Sequence, residues 1–271
     1  MSGSFLDTTI VVDLCDNKPP NEVKHIKDYL RNNQPAEAPY YALRELLAGH
    51  VQGLCETHNI LNAASTPAEA LTALVNRSPA EGRKKNARIE IFSNILDKSF
   101  ADGANGARSE IKSEMLQALA VRTNQLWRKA QKISSVELVQ PLGCFSTGSL
   151  SYGLAGELRA PRNNFNCDKK ERCSAAAYIY NDQITLTKLI DALHPDKLGP
   201  VASKKTENAS RRKALKDLLA SGPKDFNKRN CRAIGDAYFA AMCPPGSDVV
   251  TTNTVDHLPL CEALGKNTIK P

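Results

Sequence analysis

Two short apolar runs at opposite ends of the chain, GSFLDT at residues 3–8 and DVVTTN at residues 248–253, constrain the fold more than any other feature. Each has the length of a strand, and each ends in acidic, hydroxyl or amide side chains. Helical patterns follow the first run, fill the middle of the chain and flank the second. Strands that alternate with helices predict an α/β protein with a mainly parallel central sheet flanked by helices. In such sheets ligands bind at the carboxyl ends of the strands, where this reading places Asp7 and Asn253.

The helices announce themselves by period and by their ends. Pro19 and Pro20 stand near the first turn of a helix that continues through EVKHIKDYLRNN. In PYYALRELLAGHVQGLCETHNIL, residues 39–61, apolar side chains from Tyr41 to Leu54 recur at helical spacing, with Glu45 beside that apolar face. Thr66, Pro67 and Glu69 form a capping box. Further helices are expected over 89–100 and 106–133, separated by the Gly/Asn break ADGANGA. VELVQPLGCF suggests a strand, residues 143–172 a long loop, and residues 173–193 a single helix. A linker leads to the basic helix RRKALKDLLAS, then to NKRNCRAIGDAYFAAMC, and LPLCEALGK closes as a helix ending at Gly265.

Aromatic residues make up only 6% of the 271, against 41% apolar in total, so the core is aliphatic. No apolar run approaches the ~18 residues of a membrane span, and Asp7 and Asp13 interrupt the only leader-like stretch. The eight cysteines form no CxxC pair, which fits reduced, buried thiols and a cytoplasmic setting. His50, Cys55 and His58 are near in sequence, but offsets of five and eight do not share a helix face, so zinc is disfavoured there.

The net charge of +7 is not spread evenly. Residues 201–232 hold ten basic and three acidic side chains, a surplus equal to that of the whole chain. Lys204, Lys205, Arg211, Arg212, Lys213, Lys228 and Arg229 are the candidate phosphate contacts, and a polyphosphate is the expected partner. A solvated helix face is the structural alternative. Arg83, Lys84, Lys85 and Arg88 form a second cluster with the same two readings. Trp127 is either a core anchor or, with Arg128 and Lys129, a base-stacking platform.

Asp7, Glu45, Asp236 and Asp256 are the candidate catalytic and metal-ligating residues. Placed at one end of the sheet, four carboxylates would raise one another's pKa unless a cation neutralised them. Mg²⁺ or Mn²⁺ is the natural partner of hard oxygen donors and supports phosphodiester hydrolysis. Thr8, Thr9 and Thr252 are placed to orient carboxylates or water. Taken singly, each acidic residue also has a structural reading as a cap, a turn or a solvated position.

FLDTTIVVDL, ALRELLAG, AIGDAYFAAMC and DVVTTNTVDHLPL resemble, in order, the four motifs of PIN-domain nucleases. The resemblance implies a three-layer PIN-like fold and a metal-dependent endoribonuclease, often the toxin of a toxin–antitoxin pair. It implies that Asp7, Glu45, Asp236 and Asp256 form the acidic quartet, supported by Thr252 and Asn253. An antitoxin or other regulatory protein and a homodimer are the implied protein partners, and DNA stays open beside RNA. The resemblance covers roughly residues 3–60 and 228–266, and the implied nuclease core is residues 1–60 and 228–271. Residues 61–227 are then a mainly helical insertion, part of which is free to complete the core. His257 departs from the family, which commonly has an aromatic residue there. The competing function classes are a PIN-like nucleic-acid binder without activity and a protein-interaction module.

Overall fold

The computed structural model describes residues 3–16, 19–76, 82–101, 108–133, 136–140, 142–143, 145, 147–161, 173–198, 206–224, 226 and 228–271. Its centre is a five-stranded, wholly parallel sheet of order β3-β2-β1-β6-β7. The strands are β1 (Gly3–Leu6), β2 (Ala36–Pro39), β3 (Glu137–Val139), β6 (Ser247–Val250) and β7 (Thr268–Ile269). β1 is buried over its whole length, as a central strand covered on both faces must be, and Phe5 meets Phe239 with ring centroids 5.0 Å apart. The α/β class and the parallel sheet expected from the sequence are therefore present.

The chain moves outward from β1 to β2 and β3, then returns to the other side of β1 through β6 and β7. The direction of winding reverses between β1 and β6. Their register pairs Ser4 with Asp248 and Leu6 with Val250, so the first residues beyond both strands stand side by side.

Helices α1 (Thr8–Cys15) and α2 (Pro20–Asn32) connect β1 to β2. α2 begins at the proline pair and buries Val23, Ile26 and Leu30 on one face. The helix expected over 39–61 is present in three parts: α3 (Tyr40–Leu46), a π-helical segment (Leu47–Val51) and α4 (Gln52–Ala63). In α5 (Pro67–Val75), Thr66 accepts from the Glu69 amide at 3.2 Å, while the Glu69 carboxylate reaches back to the amide of Ser65 at 2.8 Å. α6 (Gly82–Ala101) and α7 (Arg108–Gln131) follow. Leu54 and Leu61 of α4, Leu74, Phe92 and Met115 form an apolar cluster of their own, distinct from the core around the sheet.

Part of the expected loop over 143–172 is a hairpin, β4 (Ser151–Tyr152) with β5 (Leu158–Arg159). It is fastened to α4 by Asn59, whose side-chain amide both donates to Leu158 O at 3.0 Å and accepts from Leu158 N at 2.7 Å. Residues 162–172 lie outside the described residues. Trp127 is a core anchor: it is buried, and its indole N–H donates to Gly148 O at 2.7 Å. Arg88 is also buried and paired with Glu56, while the side chains of Arg83, Lys84 and Lys85 lie outside the described residues. His50 pairs with Asp16 at 3.6 Å rather than with Cys55 or His58.

The single helix expected over 173–193 is two, α8 (Ser174–Asn181) and α9 (Gln183–Ala192). Asp182 stops the first and caps the second by accepting from Thr185 N at 2.9 Å. α10 (Thr206–Ser221), α11 (Lys228–Ala233) and α12 (Gly235–Met242) lead to β6, and α13 (Thr254–Ala263) joins β6 to β7. None of the described helices is long and apolar enough to cross a membrane.

Beyond Gly265, which has a positive φ of 67°, Lys266 turns back onto the end of α12. Its ammonium donates to the carbonyls of Ala240, Ala241 and Cys243 at 2.7, 3.2 and 2.6 Å. A cation there satisfies carbonyls that the helix cannot and complements the negative end of its dipole. Replacing Lys266→Met should lower the unfolding free energy by about 2 kcal/mol, the scale of hydrogen bonds to a charged group. Urea denaturation should show the midpoint falling with the slope unchanged.

Candidate functional site

Asp7 is the first residue after β1. Its amide continues the sheet by donating to Val250 O at 3.0 Å, and its carboxylate caps α1 by accepting from Thr8 N at 2.6 Å. Oδ2 also accepts from Thr9 Oγ1 at 2.9 Å and from Thr251 Oγ1 at 2.7 Å. On the other oxygen, His257 Nε2 stands 3.6 Å from Oδ1. Asp7 is 4% exposed. Burial opposes its charge, yet His257 and the two threonine hydroxyls outweigh burial and hold the carboxyl below its ordinary value.

Two more carboxylates share this place. Glu45, in the last turn of α3, accepts from Thr8 Oγ1 at 2.6 Å. Asp236, in the first turn of α12, lies 3.8 Å from the same His257 Nε2. Gly235 lets α12 approach, because a Cβ there would sit 2.6 Å from Tyr41 Oη and 3.1 Å from Glu45 Oε1. Burial, then the charges of Asp236 and Asp7, push the Glu45 carboxyl up to about 7.

A guanidinium and an imidazole of the chain itself stand among these acids. Arg211 of α10 is 5% exposed and forms an ion pair with Asp236, with Asn208 accepting from its other terminal nitrogen. His257 of α13 is 1% exposed, and its ring packs edge-on against Phe239 at 5.7 Å. Burial disfavours the imidazolium, but Asp7 and Asp236 prevail and raise its pKa. Its Nδ1 has no hydrogen-bond partner. Among the described residues, no three Asp, Glu, His or Cys side chains are grouped as they would be around a metal ion.

Of the residues singled out in the sequence, Asp7, Glu45, Asp236, Thr8 and Thr9 are thus brought together. Asp256, one residue before His257, accepts from Asn253 Nδ2 at 2.6 Å. Thr252 is exposed and contributes its amide, which donates to Thr9 Oγ1 at 3.1 Å. The hydroxyl that reaches Asp7 belongs to its neighbour Thr251. Sequence reasoning singled out neither Thr251 nor His257 as a site residue. The register of β1 against β6 selects Thr251, and nothing in a single chain reveals that register before the sheet is known.

The basic candidates divide. Arg211 faces the carboxylates from inside the fold rather than offering itself to a surface ligand. Arg212 is half-buried and donates through Nε to Ile190 O at 3.3 Å. Lys213 and Arg229 are exposed. Lys204, Lys205 and the side chain of Lys228 lie outside the described residues.

The raised carboxyl of Glu45 fixes the sign of one pH effect. A glutamate ionising near 4.5 when unfolded and near 7 when folded contributes stability in full below 4.5, and loses it as pH rises through about 7. In EDTA, Glu45→Gln should remove that loss. Between pH 4.5 and 7.5 the variant should gain on the order of 1–3 kcal/mol relative to wild type, read from urea midpoints across the range. Comparison of the chain with protein-family models, with curated proteins and with solved structures returns no match.

Proposed function

We propose that this chain is a PIN-like nuclease that hydrolyses RNA phosphodiester bonds with a divalent metal ion, Mg²⁺ or Mn²⁺. The observation that carries the reading is the meeting of Asp7, Glu45 and Asp236, from three different elements, where the winding of a parallel sheet reverses. That is the general position of ligand sites in such sheets. The order of the four sequence motifs supports it. On this reading Asp256 completes the acidic quartet, Asn253 and Thr252 flank it, and the lobe around Phe92 and Met115 belongs to the helical insertion.

Asp7, Glu45 and Asp236 offer the carboxylate oxygens that a hard divalent cation takes, although they are not grouped around an ion in this structure. These three residues would hold the ion, with Arg211 giving up part of its hold on Asp236. When bound, the ion acidifies water and neutralises charge on the phosphodiester.

The remaining work falls to side chains. Thr9 and Thr251 fix the Asp7 carboxylate. Thr8 orients Glu45 by donating to its carboxylate. Arg211, once partly released, can donate to a phosphate oxygen. Lys213 and Arg229 are exposed cations for the backbone of a longer strand. The toxin or defence setting and an antitoxin partner rest on the family resemblance alone.

The ion pair between Arg211 and Asp236 favours a second reading. Cations of the chain already neutralise much of the site, as in a nucleic-acid-binding module that needs no metal.

Cleavage of a mixed RNA pool separates the two. Wild type with Mn²⁺ should cleave, EDTA should abolish the activity, and Asp7→Asn and Asp236→Asn should each lower it by roughly 10²-fold or more, with circular dichroism unchanged. If no form cleaves and calorimetry detects no Mn²⁺ uptake, while RNA is bound in a salt-dependent way, the chain is the binding module.

A further inference from the structure

A cavity of about 700 Å³ opens between α1, α2 and α7. Leu14 and Cys15 from the last turn of α1, with Leu30 and Ile133, form an apolar floor. Five cations stand around it, Lys27 and Arg31 one turn apart on α2 and Arg128, Lys129 and Lys132 at the end of α7, and no acidic residue is in the lining. The cavity begins one helix length from the carboxylates: eight residues separate Cys15 from Asp7, or about 12 Å along α1.

These cations are not explained by helix ends alone. α1, α2 and α7 all terminate here, and each C-terminus carries about half a negative charge. Three such ends balance about 1.5 of the five positive charges. The acids closest by also leave a surplus. Asp28 meets Arg31 at 3.4 Å in an exposed i,i+3 pair, a type of contact worth little in water. Asp16, next to Cys15, is committed to Arg122 at 2.9 Å and His50 at 3.6 Å. Lys27, Arg128 and Lys132 therefore keep positive charge beside an apolar floor, with Lys129 next to them.

We infer that this cavity binds a nucleoside polyphosphate, with the phosphates on the five cations and the nucleoside on Leu14, Leu30 and Ile133. The volume lies within the ~300–1,000 Å³ of small-molecule pockets. The negative charges of a di- or triphosphate complement these cations. Leu14 and Cys15 of the floor and Lys129 of the rim line the same cavity; burial pushes the Cys15 thiol up to about 12 against the opposing Lys129 ammonium. A track for a long single strand would be lined by aromatic rings for base stacking, and this lining has none. The inference is independent of the nuclease reading.

Titration calorimetry with ATP as the probe tests it, on the full chain in low salt and EDTA so that the carboxylate site is silent. Wild type should bind one ATP, more weakly as salt rises. The exposed pair Arg31→Glu and Lys132→Glu should weaken binding at least tenfold with an unchanged melting temperature, Lys27→Glu should act in the same direction, and Asp7→Asn should bind as wild type does. The inference is overturned if wild type takes up no ATP, if charge reversal leaves the affinity unchanged, or if Asp7→Asn abolishes binding. It is equally overturned if charge reversal removes binding of an RNA 12-mer while ATP binds neither form, which would make the surface a polynucleotide track.

Discussion

Pairing between β1 and β6 is the contact on which the site depends. The first strand of the chain and a strand some 240 residues later lie side by side in parallel, aligned so that Leu6 meets Val250. That alignment sets the neighbours of the residues just past each strand. Asp7 and Thr251 are brought together, and α1 and α13 start from the same edge. The carboxylate is then buried with its hydrogen bonds already supplied by Thr8, Thr9 and Thr251. A shift of one residue would point Asp7 to the opposite face and leave a buried charge without partners, a far larger cost than any single contact in the sheet. Closing so long a loop costs little more than closing a short one, because that entropy grows only as the logarithm of length.

Around Asp7 the fold has built a balance of charge rather than a pile of acids. Three carboxylates face one buried guanidinium and one buried imidazole, and the members respond differently. Asp7 keeps its charge with the help of hydroxyls and His257. Glu45 is pushed up to about 7 by burial first and by the charges of Asp236 and Asp7 second, against one hydroxyl from Thr8. Arg211 and His257 stand against the repulsion within the cluster.

Much of this was legible in the sequence where the signal was local. The strand ending at Asp7, the proline start of α2, the capping box at Thr66 and the helix carrying Glu45 all rest on residues a few positions apart, and each is present. Of the four acids expected at one end of the sheet, Asp7 and Asp236 both lie near His257 and Glu45 accepts from Thr8 beside Asp7. β2 gave no comparable signal, because AEAP is short, bounded by proline and only weakly apolar. β7 is two residues long. The hairpin at residues 151–159 depends on Asn59, distant in sequence, to complete its hydrogen bonds. Arg211 read as a surface cation because charge counting sees no faces. On α10 it falls on the inner row with Asn208, Ala214 and Leu218, while Lys213 and Lys216 point to solvent.

The π-helical segment after Glu45 lets one helical rod serve two cores. An extra residue within a turn rotates everything downstream by about 100° relative to an unbroken α-helix. Ahead of it, Tyr41, Leu43 and Leu46 pack into the core around the sheet; beyond it, Leu54 and Leu61 belong to the separate helical cluster, while Asn59 grips the hairpin. The segment works as a mechanical coupling with an offset. Rotation or bending of the outer lobe would be transmitted through it to Glu45, whose last turn it adjoins, and so to the one carboxyl whose protonation is most finely balanced.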